Sequence, residues 1–399
     1  MPKRLLILCE AIDPPAYTPR VLTLATYLQN KGWEYIIATE QCMNLPSTIS
    51  AKYHVLQMPP YEHLLKDKLF WGKDKALVEY IESHLDMTSF DLIFCSSYYY
   101  FPLYAASSLS RKYHKPLVID LRDIAEQWGN IPYFTRKITK YQSINQIVGH
   151  LYAKRQINKR NKILQQADFV TSVSPWHVHF LSQYNRNTHL IYNGYDADTF
   201  IPSNIATDKF RICYLGKLYS IELRDPRPLF LGMKHLLAQK AISKEDVEIH
   251  FYTDSLGREQ IDPLGKQYNI EDILHIHHYI AREEILPIMH TSSILLVLTT
   301  TSTADGTHGI MGTKFFENIG VEKPILSPVS DRGCLADAIE KTNAGLAATT
   351  TEEVEQFILE KYHEWQEKGF TRQPVKNKEQ FTRQHEAQQF EELFLQCLQ

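Results

Sequence analysis

The sequence has no C-x-x-C pair, no internal repeat, no low-complexity tract and no apolar run approaching the ~18 residues that cross a bilayer. It also lacks a charge excess. Against 46 Asp and Glu stand 43 Lys and Arg, and the net charge of -3 gives no global reason to expect nucleic acid as a partner. The six cysteines, Cys9, Cys42, Cys95, Cys213, Cys334 and Cys397, stand apart, three of them inside apolar strand-like runs. They read as reduced, buried thiols of a cytosolic protein, not as a disulfide or zinc framework. The start MPKRLLILCEAIDPP imitates a signal peptide, but Glu10 and Asp13 interrupt its apolar stretch too soon. The expected location is therefore cytoplasmic.

What is present is the composition of a folded soluble protein, 44% hydrophobic and 22% charged, in a chain of 399 residues that is long enough for two domains. Short apolar runs alternate with segments of helical spacing. RLLILCEA (4–11), YIIAT (35–39), DLIFCS (91–96), PLVIDL (116–121), FVTSVS (169–174) and HLIYNG (189–194) lack polar alternation, which suits strands covered on both faces of a parallel sheet. The pattern restarts with FRICYLG (210–216), VEIHFYT, ILHIHHY, ILLVLTT, KPILSPV and GLAAT. A polar stretch at 193–209 with turn chemistry separates the two halves. The expectation is an α/β protein of two Rossmann-like domains facing across a cleft, with boundaries at 1–198 and 199–377. The helical tail 378–399 is expected to return to the first domain.

Ligands of open α/β sheets bind at the carboxyl ends of the strands, so the loops there carry the chemistry. After RICYL come Gly216, Lys217, Arg224 and Arg227. The glycine lets backbone approach a ligand and the cations suit a diphosphate, although a solvated surface loop would look the same. In GTHGIMGTKFFENIGVEKPIL, Gly309 and Gly312 precede a helix whose unpaired N–H groups can bind phosphate. Glu317 can accept hydrogen bonds from two vicinal hydroxyls, as in ribose, or serve as a favourable acid in the first turn. HIHHYIAREE (275–284) suggests a metal site, but no carboxylate or cysteine completes a ligand set. Packing, or a base-binding loop at His278 to Ile280, is the better reading. No metal is expected.

The order of RVLTLATYLQNKG, PLVIDLRDIAEQWG, ADFVTSVSPWHVHFL, IYNGYDADTF, YLGKLY, RDPRPL and GTKFFENIGVEKPIL resembles the GT-B glycosyltransferases, in particular the retaining group-1, glycogen-synthase-like superfamily that builds bacterial surface polysaccharides. The similarity runs over essentially the whole chain. NG-x-D-x-x-x-F (193–200) and K-x-x-E-x-x-x-x-x-KPIL (314–326) are its most specific pieces. The resemblance implies that Lys217 and Arg224 hold the diphosphate of a nucleotide-sugar donor and that Glu317 binds the nucleotide ribose. Ile280, Met311, Thr313 and Lys314 fall in the donor-binding stretches. The family's first glutamate would stand eight positions before Glu317, where this chain has Gly309, so the sugar contacts are expected from backbone amides of 309–313, with His308 a further candidate.

On the acceptor side, Arg122 and Asp123 close the strand of DLRD. Asp13, after the first strand, is a second candidate base or acceptor contact, although a loop aspartate more often makes a turn or cap. Ser174 reads as a helix cap. From Glu126 to Asp168 no acid intervenes, and lysines and arginines there alternate with apolar and aromatic residues. The segment 133–162 can lie on an anionic membrane surface or pack as a solvated helix pair. The implied function is transfer of a sugar from a nucleotide diphosphate to a glycan or lipid-linked acceptor, with retention and without a required cofactor, at the inner membrane face. A sugar-nucleotide epimerase of the same architecture and a non-catalytic nucleotide-sugar or glycan-binding protein are the alternatives.

Overall fold

A computed structural model describes residues 2–10, 12, 19–40, 51–62, 71–129, 142–303 and 306–399, with residues 142–146 and 148 described by their backbone alone. The chain divides into two compact units, one of residues 1–194 and 383–399, the other of residues 195–382. These limits fall a few residues from the expected boundaries. The Tyr195 N–H donates to the Phe381 carbonyl at 2.9 Å, and Phe381 sits against Phe315 and Phe316, so both linker ends belong to the second unit.

The first unit is built on seven parallel strands, β1 (Arg4–Cys9), β2 (Glu34–Glu40), β3 (Val55–Met58), β4 (Leu92–Ser97), β5 (Leu117–Leu121), β6 (Phe169–Ser172) and β7 (Thr188–Leu190). Their spatial order is β3-β2-β1-β4-β5-β6-β7. The period of two sends Leu6, Leu8, Ile93, Cys95 and Ile119 to one buried face and Leu5, Ile7, Leu92, Phe94 and Val118 to the other. Helices cover both faces, which is why these strands read as unbroken apolar runs. They are α1 (Pro19–Asn30), α2 (Gly72–His84), α3 (Leu103–Tyr113), α4 (Gln142–Leu164) and α5 (Pro175–Leu181). The short β3, half-exposed along most of its length, has too weak a pattern to be read from the sequence.

The second unit holds β8 (Phe210–Leu215), β9 (Val247–Tyr252), β10 (Leu274–His277), β11 (Ile294–Leu296), β12 (Ile325–Ser327) and β13 (Gly345–Ala347), all parallel, in the order β10-β9-β8-β11-β12-β13. Its helices are α6 (Arg227–Ala238), α7 (Ser255–Tyr268), α8 (Arg282–Thr291), α9 (Thr313–Val321), α10 (Cys334–Thr342) and α11 (Thr351–Lys368). The tail helix α12 (Arg383–Cys397) belongs to the first unit, where Phe390 and Phe394 pack on Phe94 with ring centroids 5.1 and 5.3 Å away. Burying each ring contributes roughly 1.5–3 kcal/mol.

A polar knot fixes α12 to the sheet of that unit. Buried Arg20 on α1 donates to both oxygens of Asp120 at 3.0 Å, to Glu386 at 3.1 Å, and to the carbonyls of Ile191 and Tyr192. Asp120 also accepts from Ser96 and Thr171. Removing any one charge from such a set leaves its partner buried and unpaired, which costs several kcal/mol.

Candidate functional site

In the second unit the carboxyl ends of β8 and β9, the loop after β10 and the start of α9 line a small cavity open to solvent, with Gly216, Tyr252, Tyr279, Ile280, Lys314 and Glu317 among its walls. Four expected donor-binding residues, Gly216, Ile280, Lys314 and Glu317, thus meet in one place. Their arrangement follows from the helix. In α9, Phe315, Phe316 and Ile319 are buried, and Lys314 and Glu317, three residues apart, share the face that lines the cavity. The helix begins at Thr313, so Glu317 stands in the second turn, and the reading as a first-turn acid fails.

Lys314 lies across Gly216. A Cβ built on that glycine would fall on Lys314 Cε and 2.6 Å from Nζ, and the glycine's φ of +150° is one that side chains rarely adopt. Burial lowers the pKa of the Lys314 ammonium. Glu317 draws it back up, and the nearby Arg224 adds to the depression. Two cations held this close, one of them partly desolvated, make a place for a multivalent anion.

Arg224 is positioned by a tyrosine that the sequence did not single out. The Tyr214 hydroxyl, at the end of β8, donates to the Lys217 carbonyl at 2.7 Å and accepts from Arg224 at 3.1 Å, and the Arg224 guanidinium sits 4.9 Å from the Tyr219 ring. Lys217 itself points to solvent outside the cavity lining. Arg227 makes a two-pronged pair with Asp225 at 2.8 and 2.6 Å, which neutralises it as a ligand cation.

The glycines before α9 divide their work. Gly309 has φ +65°, so a glutamate at this position would carry the strain of a left-handed backbone, roughly 1–2 kcal/mol. Gly312 is the N-cap, with no side-chain cap and nothing within 4 Å of its missing Cβ. The first N–H groups of a helix have no intrahelical acceptor, so this end presents donors and the positive end of the dipole. Met311 is buried, and His308 is half-buried.

In the first unit, Arg122 and Asp123 follow β5. Arg122 donates to the Tyr98 hydroxyl at 2.9 Å and lies 4.7 Å from its ring, while Asp123 accepts from Gln127 at 3.1 Å. Glu10, which sequence reasoning used only to dismiss a signal peptide, joins them. Its pKa is raised by burial and by Asp123, against the pull of Lys73 and Arg122. Burial raises Asp123 as well. Glu10 Oε2 and Arg122 Nε have no hydrogen-bond partner among the described residues. The position of Glu10, first polar residue after β1, was the signal available for it. Asp13 lies outside the described residues. Ser174 caps α5, accepting from the His177 N–H at 3.3 Å.

Beside the histidine run, on the neighbouring strand, stands a carboxylate that the sequence reading did not count: Glu248 lies 3.0 Å from His250, and His250 pairs in register with His275. Of the basic segment, residues 133–141 lie outside the described residues. On α4, Arg160 is buried and clamps Glu126 at 2.8 and 2.6 Å, whereas Lys154 and Arg155 are exposed one turn from Leu151, which like Ile147 is 61% exposed, and Lys162 is exposed further along the helix. No helix among the described residues is long and apolar enough to cross a membrane.

Residues 19–199 match the family model described as Glycosyltransferase Family 4. No curated protein matches the chain. Among solved structures, the Anabaena protein HepE in complex with UDP and glucose is 15% identical, with 99% of this chain and 100% of that one aligned at a TM-score of 0.62. Sucrose-phosphate synthase from Thermosynechococcus elongatus is 16% identical over 99% and 98% of the two chains, with a TM-score of 0.64. A UDP-N-acetylglucosamine 2-epimerase aligns at 11% identity over 99% and 96%, with a TM-score of 0.53. The chain has the GT-B fold, as its sequence pattern led us to expect. Because an epimerase shares the architecture, the choice of activity rests on the site.

Proposed function

We propose that the protein is a glycosyltransferase whose second unit holds a nucleotide-diphosphate sugar and passes the sugar to a hydroxyl of a glycan or lipid-linked acceptor. The observation that carries this reading is the convergence of Lys314 and Glu317 at one cavity beside the uncapped start of α9, with Arg224 near enough to act on the Lys314 charge. Two cations and helix N–H groups match a diphosphate, and the carboxylate matches the vicinal hydroxyls of ribose. Tyr279 and Ile280 offer the apolar wall a base needs. The Family 4 match over residues 19–199 supports transfer, and the UDP and glucose bound by the Anabaena relative support a uridine donor.

As the bond from the anomeric carbon to the leaving phosphate breaks and the bond to the acceptor oxygen forms, negative charge grows on the diphosphate. In this reading Lys314, Arg224 and the α9 amides stabilise it. Asp123, Arg122 and Glu10 are the acceptor-side groups. Retention of configuration, with the acceptor's proton passing to the leaving phosphate, belongs to the same proposal and rests on the motif resemblance, as does a role in surface-polysaccharide synthesis. The exposed Ile147 and Leu151, with Lys154 and Arg155 one turn from Leu151, support docking of α4 on an anionic membrane.

Thermal denaturation with UDP, GDP, ADP and TDP, free and sugar-linked, tests the donor site. At about 100 times its dissociation constant, a bound ligand adds roughly 2.7 kcal/mol of stability. A selective shift with one nucleotide, followed by sugar transfer or slow donor hydrolysis, is expected. A shift with none of them would sink the donor assignment. An isomerised nucleotide sugar released without acceptor would make the protein an epimerase, and binding without either reaction would make it a non-catalytic binder.

A further inference from the structure

On the half-buried face of β9 and β10, Glu248, His250 and His275 each offer a ligand atom, and the three atoms lie within 4.8 Å of one another. Glu248 and His250 are two apart on β9 and so point to the same side of the sheet, and His275 sits opposite His250 in the parallel register. We propose that these three side chains bind a borderline divalent cation of the zinc class, clamping the edge strand β10 onto β9.

Several independent features fit. The donor set, two imidazoles and one carboxylate, is one that zinc and its neighbours accept, whereas calcium and magnesium prefer oxygen ligands alone. Ligands around such an ion stand about 3.3 Å apart, given metal–ligand distances of about 2.0–2.1 Å, so the set closes by small side-chain rotations. The outer groups are in place too. His250 Nδ1 lies 2.9 Å from His277 Nε2, so once Nε2 gives up its hydrogen to face the ion, Nδ1–H donates to His277 and the ring stays neutral.

Glu248 is held by Arg211 at 3.0 Å, and Arg211 also pairs with Asp208 at 2.8 Å. The three charges sum to about −1, so the guanidinium orients the carboxylate without cancelling the attraction for a cation. Both hydrogen bonds to Glu248 fall on Oε2, leaving Oε1 for the ion.

The test uses the full chain, freed of metal by a chelator and titrated with Zn²⁺ by calorimetry and with Co²⁺ by visible absorption. We expect one Zn²⁺ per chain, a visible cobalt band that Zn²⁺ bleaches, and a rise in melting temperature. His275→Ala should weaken binding at least tenfold, and His363→Ala, an exposed histidine far along the chain, should not. Should the His275 variant fail to fold, Glu248→Gln keeps the shape and should weaken binding by a similar factor. Equal affinity in wild type, His275→Ala and Glu248→Gln would overturn the proposal. So would a cobalt–thiolate band in the near ultraviolet, which would place the ion on cysteine, or the absence of binding.

Discussion

The side chain of Lys314 occupies the space in which Gly216 has no Cβ. A loop at the end of β8 and the first turn of α9 are thereby coupled through a residue that carries no side chain, and the position of the ammonium depends on that absence.

Replacing Gly216 by alanine should therefore act as a loss of Lys314. We expect Gly216→Ala and Lys314→Met each to weaken nucleoside diphosphate binding about tenfold or more, equivalent to roughly 1.4 kcal/mol. The double variant should lose little beyond either single one, because both remove the same cation from the site. Calorimetric titration of the four proteins measures this, and additive losses would show that Gly216 does not act through Lys314.

Glu317 is expected to read the ribose. Glu317→Ala should lower donor affinity by about 10- to 100-fold, in line with roughly 1.5–3 kcal/mol for a hydrogen bond to a charged group. The loss should disappear when the nucleotide lacks its 2′ and 3′ hydroxyls. A dideoxy analogue that still distinguishes the two proteins would assign Glu317 another partner.

Much of this site could be read from the sequence, and the reasons it could differ residue by residue. Gly216, Lys314 and Glu317 were legible because a local pattern fixes them, a strand end and one helix face three residues apart. The roles of Arg227 and Lys217 were not, since an ion pair with Asp225 and exposure to solvent are set by loop geometry. Tyr214 and Glu248 escaped for a further reason. Each acts across the sheet or across a loop, and nothing in the neighbouring residues signals such a partner. The parallel strands were legible because both faces are buried, and β3 was missed because it is not.

In the first unit, Glu10 and Asp123 should affect the acceptor and spare the donor. Glu10→Gln and Asp123→Asn are expected to leave nucleotide affinity unchanged and to reduce kcat/KM for the acceptor by tenfold or more. Burial raises both carboxyls above their ordinary range, so activity that needs them ionised falls as the pH drops through those raised values. The acid limb of the pH profile should therefore lie above the usual carboxylate range in wild type and move or vanish in the variants. Unaltered acceptor kinetics would remove both residues from the site.

His177 gives a prediction about stability. It is 1% exposed, neither ring nitrogen has a hydrogen-bond partner among the described residues, and burial, with a smaller contribution from Arg160, lowers its pKa to about 3. The unfolded chain binds the histidine proton near pH 6.5 and the folded chain does not, so between these values the unfolded state holds more protons and stability falls as the pH falls. The loss is absent above pH 6.5 and reaches on the order of 4 kcal/mol by pH 3, at 1.36 kcal/mol per unit. His177→Leu removes the titrating group while keeping the space filled. Its denaturant midpoint should decline less steeply than that of wild type across this window, and the two should run parallel above it. Identical slopes below pH 6.5 would mean that His177 takes up its proton in the folded protein, and hence that its ring is not sealed from water.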